Sequence, residues 1–541
     1  PEVMRRGGFD AVVGNPPFIG GTLIKGRAGK DFLAYLGRVI AGGNTAGGRA
    51  DLCSYFLLRN TLIASRGYVG IIATNTISQG DSREVGLDQV IDKGWAIRRA
   101  EKSRPWPGTA SLEVSLVWLG KRNDDEKKLL DGREVAGITS TLDPATRVPG
   151  TAYRLVANSA LSFEGCKPLG MGFILTPEQA SEILEKGDLY RDVVFPYLNG
   201  EDLNSRPDCS ASRWIIDFKD MSLEDARRYV DAFAIVEAKV RPERQRKRPD
   251  GSYVLRKPLP QRWWQFGDYR PALRRAIAGL GRVLVITQTS RTQMPAFVST
   301  GQVFSNKVIV FPTDRAADLC VRASNIQYWW TVKNSSTRRA DLVYTPSDCC
   351  ETLPLPLYTE RMDRAGAWLD SYRRDVMSQY GLGLTALYNQ VHDASCNSVE
   401  ISRMRDVHIE LDEAVQEAYA LAEERDPVIR EFEAKLAKGE LPSWREINLG
   451  HGFYETRQGV RFTISPQARD DVLDKLLALN HYRHQQEVSQ GLHSGKTSRK
   501  GVKTAKKQPK EAEPGPGTGA DVVDPADVAL DGLFAPPGAL F

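Results

Sequence analysis

Apolar positions change their rhythm along this chain. Up to about residue 122, short continuous apolar runs alternate with helical stretches. Phe9-Asp10-Ala11-Val12-Val13-Gly14 reads as a strand that runs into a turn cluster. Asp51-Leu52-Cys53-Ser54-Tyr55-Phe56-Leu57-Leu58 reads as a helix with one face in a core. Gly67-Tyr68-Val69-Gly70-Ile71-Ile72-Ala73-Thr74-Asn75 is an apolar run bounded by turn residues, the pattern of a buried parallel strand. Trp106-Pro107-Gly108 then leads into a further strand, residues 110–118. Residues 123–165 are charged and then turn-rich, a connector with a hairpin. From Cys166 to Leu357 short strands (213–218, 282–287, 307–311) alternate with polar loops, the pattern of a mixed α/β domain with its own core. From 358 to 487 the rhythm is helical. Val407, Leu411, Val415 and Ala418 form one stripe. Ser465-Pro466 starts a helix with a capping residue and a first-turn proline, followed by Val472, Leu473, Leu476, Leu477 and Leu479. Residues 488–541 lack core-building residues and read as a disordered tail, basic and then Pro/Gly-rich, with a role left open.

Composition narrows the class without choosing a function. Over 541 residues, 41% are hydrophobic and 9% aromatic, ordinary for globular protein. Lys+Arg number 73 and Asp+Glu 68, so a net +5 does not by itself point to nucleic acid. The 7 cysteines have no paired spacing and read as free thiols of a reducing compartment. No apolar run reaches membrane-spanning length and no signal peptide is visible, so a cytoplasmic protein with no membrane partner is expected. His408, His481 and His484 lack acidic or Cys partners at ligand spacing, so no metal is expected. Glu237-Ala238-Lys239 and Glu433-Ala434-Lys435 lie in helix-like contexts and do not read as nuclease remnants.

The most specific chemistry is Asn15-Pro16-Pro17-Phe18, directly behind the first strand. A bare Asn-Pro-Pro can be a plain turn between strand and helix. The chemical reading is that it serves an exocyclic amine on a nucleobase, a poor nucleophile because its lone pair is delocalised into the ring. The amide oxygen of Asn15 and the carbonyl of Pro16 could accept its two N–H groups. Consecutive prolines stiffen the loop and remove two donors. Phe18 offers a stacking face for a base taken out of the duplex. The loop follows a strand, where open α/β sheets place their ligand crevices.

These segments resemble the adenine-specific (N6) DNA methyltransferases of type IIG and type IIL restriction–modification enzymes and of DISARM-like anti-phage systems. The resemblance runs from about Phe9 to about Glu487 and includes residues 74–80, 197–204, 240–244, Trp263-Trp264 and 304–307. It implies an α/β fold: the C-terminal part of a Rossmann-like class I methyltransferase domain over residues 1–122, a target-recognition domain over 166–357, and a helical C-terminal region. It makes Asn15, Pro16, Pro17 and Phe18 the catalytic positions and S-adenosyl-L-methionine the cofactor. Trp106 falls near an aromatic that lines the base pocket in that family, against the plainer reading of a core Trp beside a turn. The family's glycine-rich cofactor turn precedes the Asn-Pro-Pro strand, and only Pro1–Gly8 stand there. The chain alone is therefore expected to bind the cofactor poorly. It reads as a fragment, a split-gene subunit or a degenerate remnant, with an upstream polypeptide as a partner that would complete the domain.

Double-stranded DNA is the expected macromolecular partner. Lys239, Arg241, Arg244, Arg246, Lys247 and Arg248 stand against a single Glu243, and Arg256, Lys257 and Arg262 precede Trp263 and Trp264. Such clusters make phosphate contacts, although a solvated helix face has the same composition. Base-edge candidates lie in loops beside strands, where turn and surface residues are also common: Asn199, Glu201, Asp202, Asn204 and Arg206; Gln288, Arg291 and Gln293; Ser305, Asn306 and Lys307. Two other functions stay open, a non-catalytic DNA-binding specificity subunit and an RNA or protein-glutamine methyltransferase.

Overall fold

Gly67 shows how the first two strands are brought together. A Cβ there would sit 1.7 Å from the Asp10 carbonyl oxygen, so only glycine lets the two backbones approach. Tyr68 N–H donates to Asp10 O at 2.9 Å and opens a parallel pair. The computed structural model describes residues 2–493 except 6, 44–48, 65–66, 108–111, 122–126, 136, 146, 339–340 and 457. Parts of two predicted segments, Ala110-Ser111 and Asn123–Glu126, and the tail from Ser494 onward lie outside the described residues.

The first sheet contains β1 (Ala11–Gly14), β2 (Tyr68–Thr74), β3 (Trp95–Pro105), β4 (Glu113–Lys121), β5 (Lys128–Leu130) and β6 (Arg133–Val135) in the order β1-β2-β4-β3-β5-β6. β2 is parallel to β1 and antiparallel to β4, so its predicted parallel character holds on one side only. β3 carries bulges between Ile97 and Arg99 and between Glu101 and Arg104, which break the simple two-residue alternation of a strand. Asp131 and Gly132 take positive φ of 50° and 80° in the β5–β6 turn, and this hairpin extends the sheet by pairing with β3. The helices Gly21–Tyr35 and Leu52–Ile63 contribute Ile24, Tyr55, Leu57 and Leu58 to the core of this sheet.

Two sheets build the middle of the chain. β7 (Phe163–Glu164), β11 (Arg282–Thr287), β13 (Ala296–Ser299) and β15 (Val308–Phe311) pair in the order β13-β11-β15-β7. β8 (Ile174–Leu175), β9 (Val194–Leu198), β10 (Arg213–Ile216) and β14 (Val303–Phe304) pair as β14-β9-β10-β8. A smaller sheet joins β12 (Thr289–Ser290), β16 (Ser336–Arg338) and β17 (Asp341–Val343) in the order β12-β17-β16. One apolar cluster reaches from Val148 through β11 and β15 to Leu479 on the helix Pro466–Ser489. The C-terminal stretch is mostly helical, as its rhythm predicts, but it also contains the hairpin β18 (Gly452–Thr456) and β19 (Gly459–Thr463). Arg147 on the connector holds that terminal helix through Asp471 at 2.5 Å and Asp474 at 2.7 Å.

Candidate functional site

β1 ends at Gly14, and residues 15–20 run without regular structure to the helix Gly21–Tyr35. Asn15 is exposed, Pro16 buried, Pro17 exposed and Phe18 half-buried. The buried Pro16 ring anchors the loop while Asn15 stays open to solvent. Trp106, half-buried beyond β3, meets Phe18 edge-to-face with ring centroids 5.8 Å apart at 89°. Trp106 is thus neither fully buried nor fully exposed, and its ring packs on Phe18. The two rings form an aromatic corner three residues beyond Asn15.

Asp51 fixes the far end of this loop. Its Oδ1 accepts the Gly21 N–H at 3.0 Å, and its Oδ2 accepts Thr74 Oγ1 at 3.2 Å and the Thr76 hydroxyl. A Cβ on Gly21 would fall 2.1 Å from the Arg49 carbonyl oxygen, so glycine is required where the loop enters its helix. Ile19 O accepts the Leu52 N–H at 3.0 Å. The exits of β1 and β2 are thereby joined through one carboxylate. Cys53 lies beneath it, its thiol pushed up to about 12 by burial and by the Asp51 charge, which makes it an inert packing group. Nothing in the sequence alone marks Asp51 beyond a helix-start signal, because its partners lie about 25 to 30 residues away on either side.

The predicted basic segment divides into a buried and an exposed part. Arg244 has no exposed surface. Its guanidinium donates to Gln265 O at 2.6 Å, to Leu169 O at 3.1 Å and to Pro168 O, and lies over the Phe173 ring at 5.2 Å. Burial pulls its pKa down to about 10. Trp263 and Trp264 are 4% and 9% exposed, and Trp264 Nε1 donates to Met221 O at 3.0 Å. These three residues hold the core and are corrected from DNA contacts to packing residues, because the same Arg/Trp composition serves a closed interior. Arg241 is exposed but lies over Trp263 and pairs with Glu237 at 2.6 Å. Arg246, Lys247 and Arg248 are exposed on a hairpin-like turn in which Val254 N–H donates to Arg246 O at 2.9 Å and Arg248 N–H to Ser252 O at 2.7 Å.

The three predicted reading loops do converge. Gln288 N–H donates to Lys307 O at 2.8 Å, Ser305 N–H to Leu198 O at 2.9 Å, and Thr287 Oγ1 to Gly200 O at 3.3 Å. Arg206, Arg291 and Lys307 are exposed there, and Asn204 and Asn306 are partly exposed. Arg291 pairs with Asp341 at 3.2 Å. Asn199 is a correction: its Oδ1 caps a helix by accepting from Glu201 N–H at 2.7 Å and Asp202 N–H at 3.2 Å, and its Nδ2 donates to Asp202 at 2.9 Å. Both ends of the amide are occupied at this helix cap, which leaves no bidentate edge for a base. Gln293 is likewise buried, donating to Ser290 O and Leu342 O at 2.9 and 3.2 Å. Among the described residues, no group of His, Cys, Asp and Glu could hold a metal ion, and no helix is long and apolar enough to cross a membrane.

Residues 1–92 match the family described as Eco57I restriction-modification methylase. The type IIL restriction-modification enzyme MmeI, solved in complex with DNA, shares the fold with a TM-score of 0.59 at 17% identity, over 76% of this chain and 54% of that one. The type IIG restriction endonuclease BpuSI gives a TM-score of 0.25 at 13% identity, over 76% and 54%. The DrdV–DNA complex gives 0.33 at 10% identity, over 67% and 44%. The chain spans about half the length of MmeI and BpuSI. No curated protein matches it.

Proposed function

We propose that this chain supplies the target-base site and the DNA-reading region of a site-specific adenine-N6 DNA methyltransferase of a restriction–modification or anti-phage system. The observation that carries this reading is the exposed Asn15, which lies in the segment that matches a methylase family and stands three residues before Phe18 of the Phe18–Trp106 corner. Asn15 Oδ1 and the Pro16 carbonyl accept the two N–H groups of an extruded adenine and let its nitrogen move toward tetrahedral geometry. Phe18 stacks on the base and Trp106 closes the corner. Extrusion costs a few kcal/mol, and base–aromatic stacking returns about 1–3 kcal/mol per base. Exposed Arg206, Arg246, Lys247, Arg248, Arg291 and Lys307 are the candidate contacts to double-stranded DNA.

S-adenosyl-L-methionine, which supplies the methyl group in such enzymes, does not find a full cradle among the described residues. β1 has a single strand neighbour there, and its Val13 is 86% exposed. A glycine-rich strand turn beside β1 would come from a further polypeptide segment pairing on that open edge. The open edge also favours a second reading, a specificity subunit that reads DNA while another chain does the chemistry.

Labelled methyl transfer to unmodified DNA, by the assembly that contains this chain and such a segment, separates the two. Asn15→Ala is expected to lower turnover by at least about 10²-fold, the scale of losing one hydrogen-bonding group that acts on the reacting centre. DNA affinity should stay within about twofold. Undiminished transfer by this variant rules out the catalytic role and leaves the subunit reading.

A further inference from the structure

The turn after β2 is bonded in two directions. Toward the first sheet, Thr74 and Thr76 donate to Asp51, which holds the Gly21 N–H at the end of the Asn-Pro-Pro-Phe loop. Toward the reading region, Asn75, 8% exposed, donates from Nδ2 to Thr337 Oγ1 at 3.2 Å and to Glu113 Oε2 at 3.2 Å. Gln79 grips the same threonine reciprocally. Its Nε2 donates to Thr337 Oγ1 at 3.1 Å and its Oε1 accepts the Thr337 N–H at 3.2 Å. Thr337 belongs to β16, whose partner β17 bears Asp341, the ion-pair partner of Arg291. β17 also pairs with β12, two residues from the end of β11.

A continuous set of directional bonds therefore runs from the reading loops to the target-base loop. It passes through Thr337, then Asn75 and Gln79, then Thr74 and Thr76, and then Asp51. We infer that the β16–β17 strand pair is a strut, and that Thr337 and Gln79 are positioning residues through which DNA engagement at the reading loops sets the geometry of residues 15–20. The consequence for turnover rests on the methyltransferase reading; the mechanical coupling rests only on its DNA-reading part. A displacement of about 1 Å at reacting groups can cost on the order of 10²-fold in rate, so a bonded strut has leverage although it touches no substrate.

Thr337→Val keeps the shape and removes the hydroxyl that accepts both amides; Gln79→Leu removes the other partner; Thr337→Ser restores the hydroxyl. The first readout is hydrogen exchange at the amides of residues 18–21 and 52 in the full chain, with and without duplex DNA. Wild type is expected to gain protection at these amides on binding DNA. Thr337→Val and Gln79→Leu should bind DNA within about twofold and lose that gain, and Thr337→Ser should keep it. The second readout is steady-state methyl transfer by the active assembly. Thr337→Val should lower kcat by about tenfold or more with the KM for DNA unchanged, and Thr337→Ser should recover it. The strut is overturned if wild type gains no protection, if Thr337→Val keeps both the gain and kcat, or if the loss falls on DNA affinity alone. DNA-induced protection in a wild-type assembly that transfers no methyl group sinks the methyltransferase reading and leaves the strut standing.

Discussion

Val13 in β1 is 86% exposed, whereas Val283, Leu284, Val285 and Ile286 in β11 are all buried. Both strands are short and apolar, and both end beside candidate functional loops. β11 lies between β13 and β15, under the helices of a cluster that reaches to Leu479. Among the described residues β1 is the outermost strand of its sheet, with Tyr68 of β2 55% exposed beside it. A strand buried on both faces is stable by its own packing. An apolar strand left open has a free hydrogen-bonding edge and an uncovered face, the features a sheet needs in order to accept another strand. The sheet of β11 thus rests on a finished interior, and the Asn15 loop hangs from a strand with an open edge.

The largest effect that sharpens this contrast is expected at β11. Leu284→Ala should cost about 2–5 kcal/mol by transfer and cavity terms, measured by denaturant unfolding. Next is acid. His408 is buried on the helix Val399–Arg425, its Nε2 2.9 Å from the Tyr388 hydroxyl oxygen, and burial lowers its pKa to about 4. Its folded value lies below the unfolded 6.5, so the unfolded chain binds the extra proton between those two values. Stability should rise with pH across that window and fall by on the order of 3 kcal/mol from pH 6.5 to 4. His408→Gln should flatten that part of a melting-temperature profile, and an unchanged slope would remove His408 from the account.

A smaller effect concerns binding. Changing Arg246, Lys247 and Arg248 to Ala should reduce the slope of log affinity against log salt by roughly 2.7, about 0.9 for each phosphate no longer neutralised. A slope change near zero would make the hairpin a solvated ornament of the surface. Arg244→Met should act differently, lowering the melting temperature instead of the salt slope, because its cation is enclosed by carbonyls. Smallest of all, Val13→Ala should change the stability of the chain by less than about 0.5 kcal/mol. A loss as large as that of Leu284→Ala would show that β1 is covered in solution, and would break the comparison.

Continuous apolar runs make β2, β11 and β15 legible in the sequence, since a strand buried on both faces needs no polar alternation. β3 is hidden by Arg98, Arg99, Glu101, Lys102 and Arg104, whose bulged register places charges off the period. β18 and β19 are hidden between long helices, where a local hairpin is outweighed by its surroundings. The Asn15 loop is legible as a candidate because its motif is local. Asp51, Gln79 and Thr337 are not, because the last of these meets its partners across about 260 positions, and no short pattern encodes such a meeting. Arg244 and Trp263 mislead for the complementary reason: composition names a residue type but not the side of the surface on which it ends.

Arg244 also bears on how the exposed arginines behave. A guanidinium tied to several carbonyls from residues 168–169 and 262–265 staples separate stretches of backbone at one point. The turn bearing Arg246, Lys247 and Arg248 begins two residues later, so its root is clamped while its tip is free to solvent. Side chains on such a root would leave less backbone freedom to be lost at an encounter with a polyanion, because the clamp orders that backbone during folding.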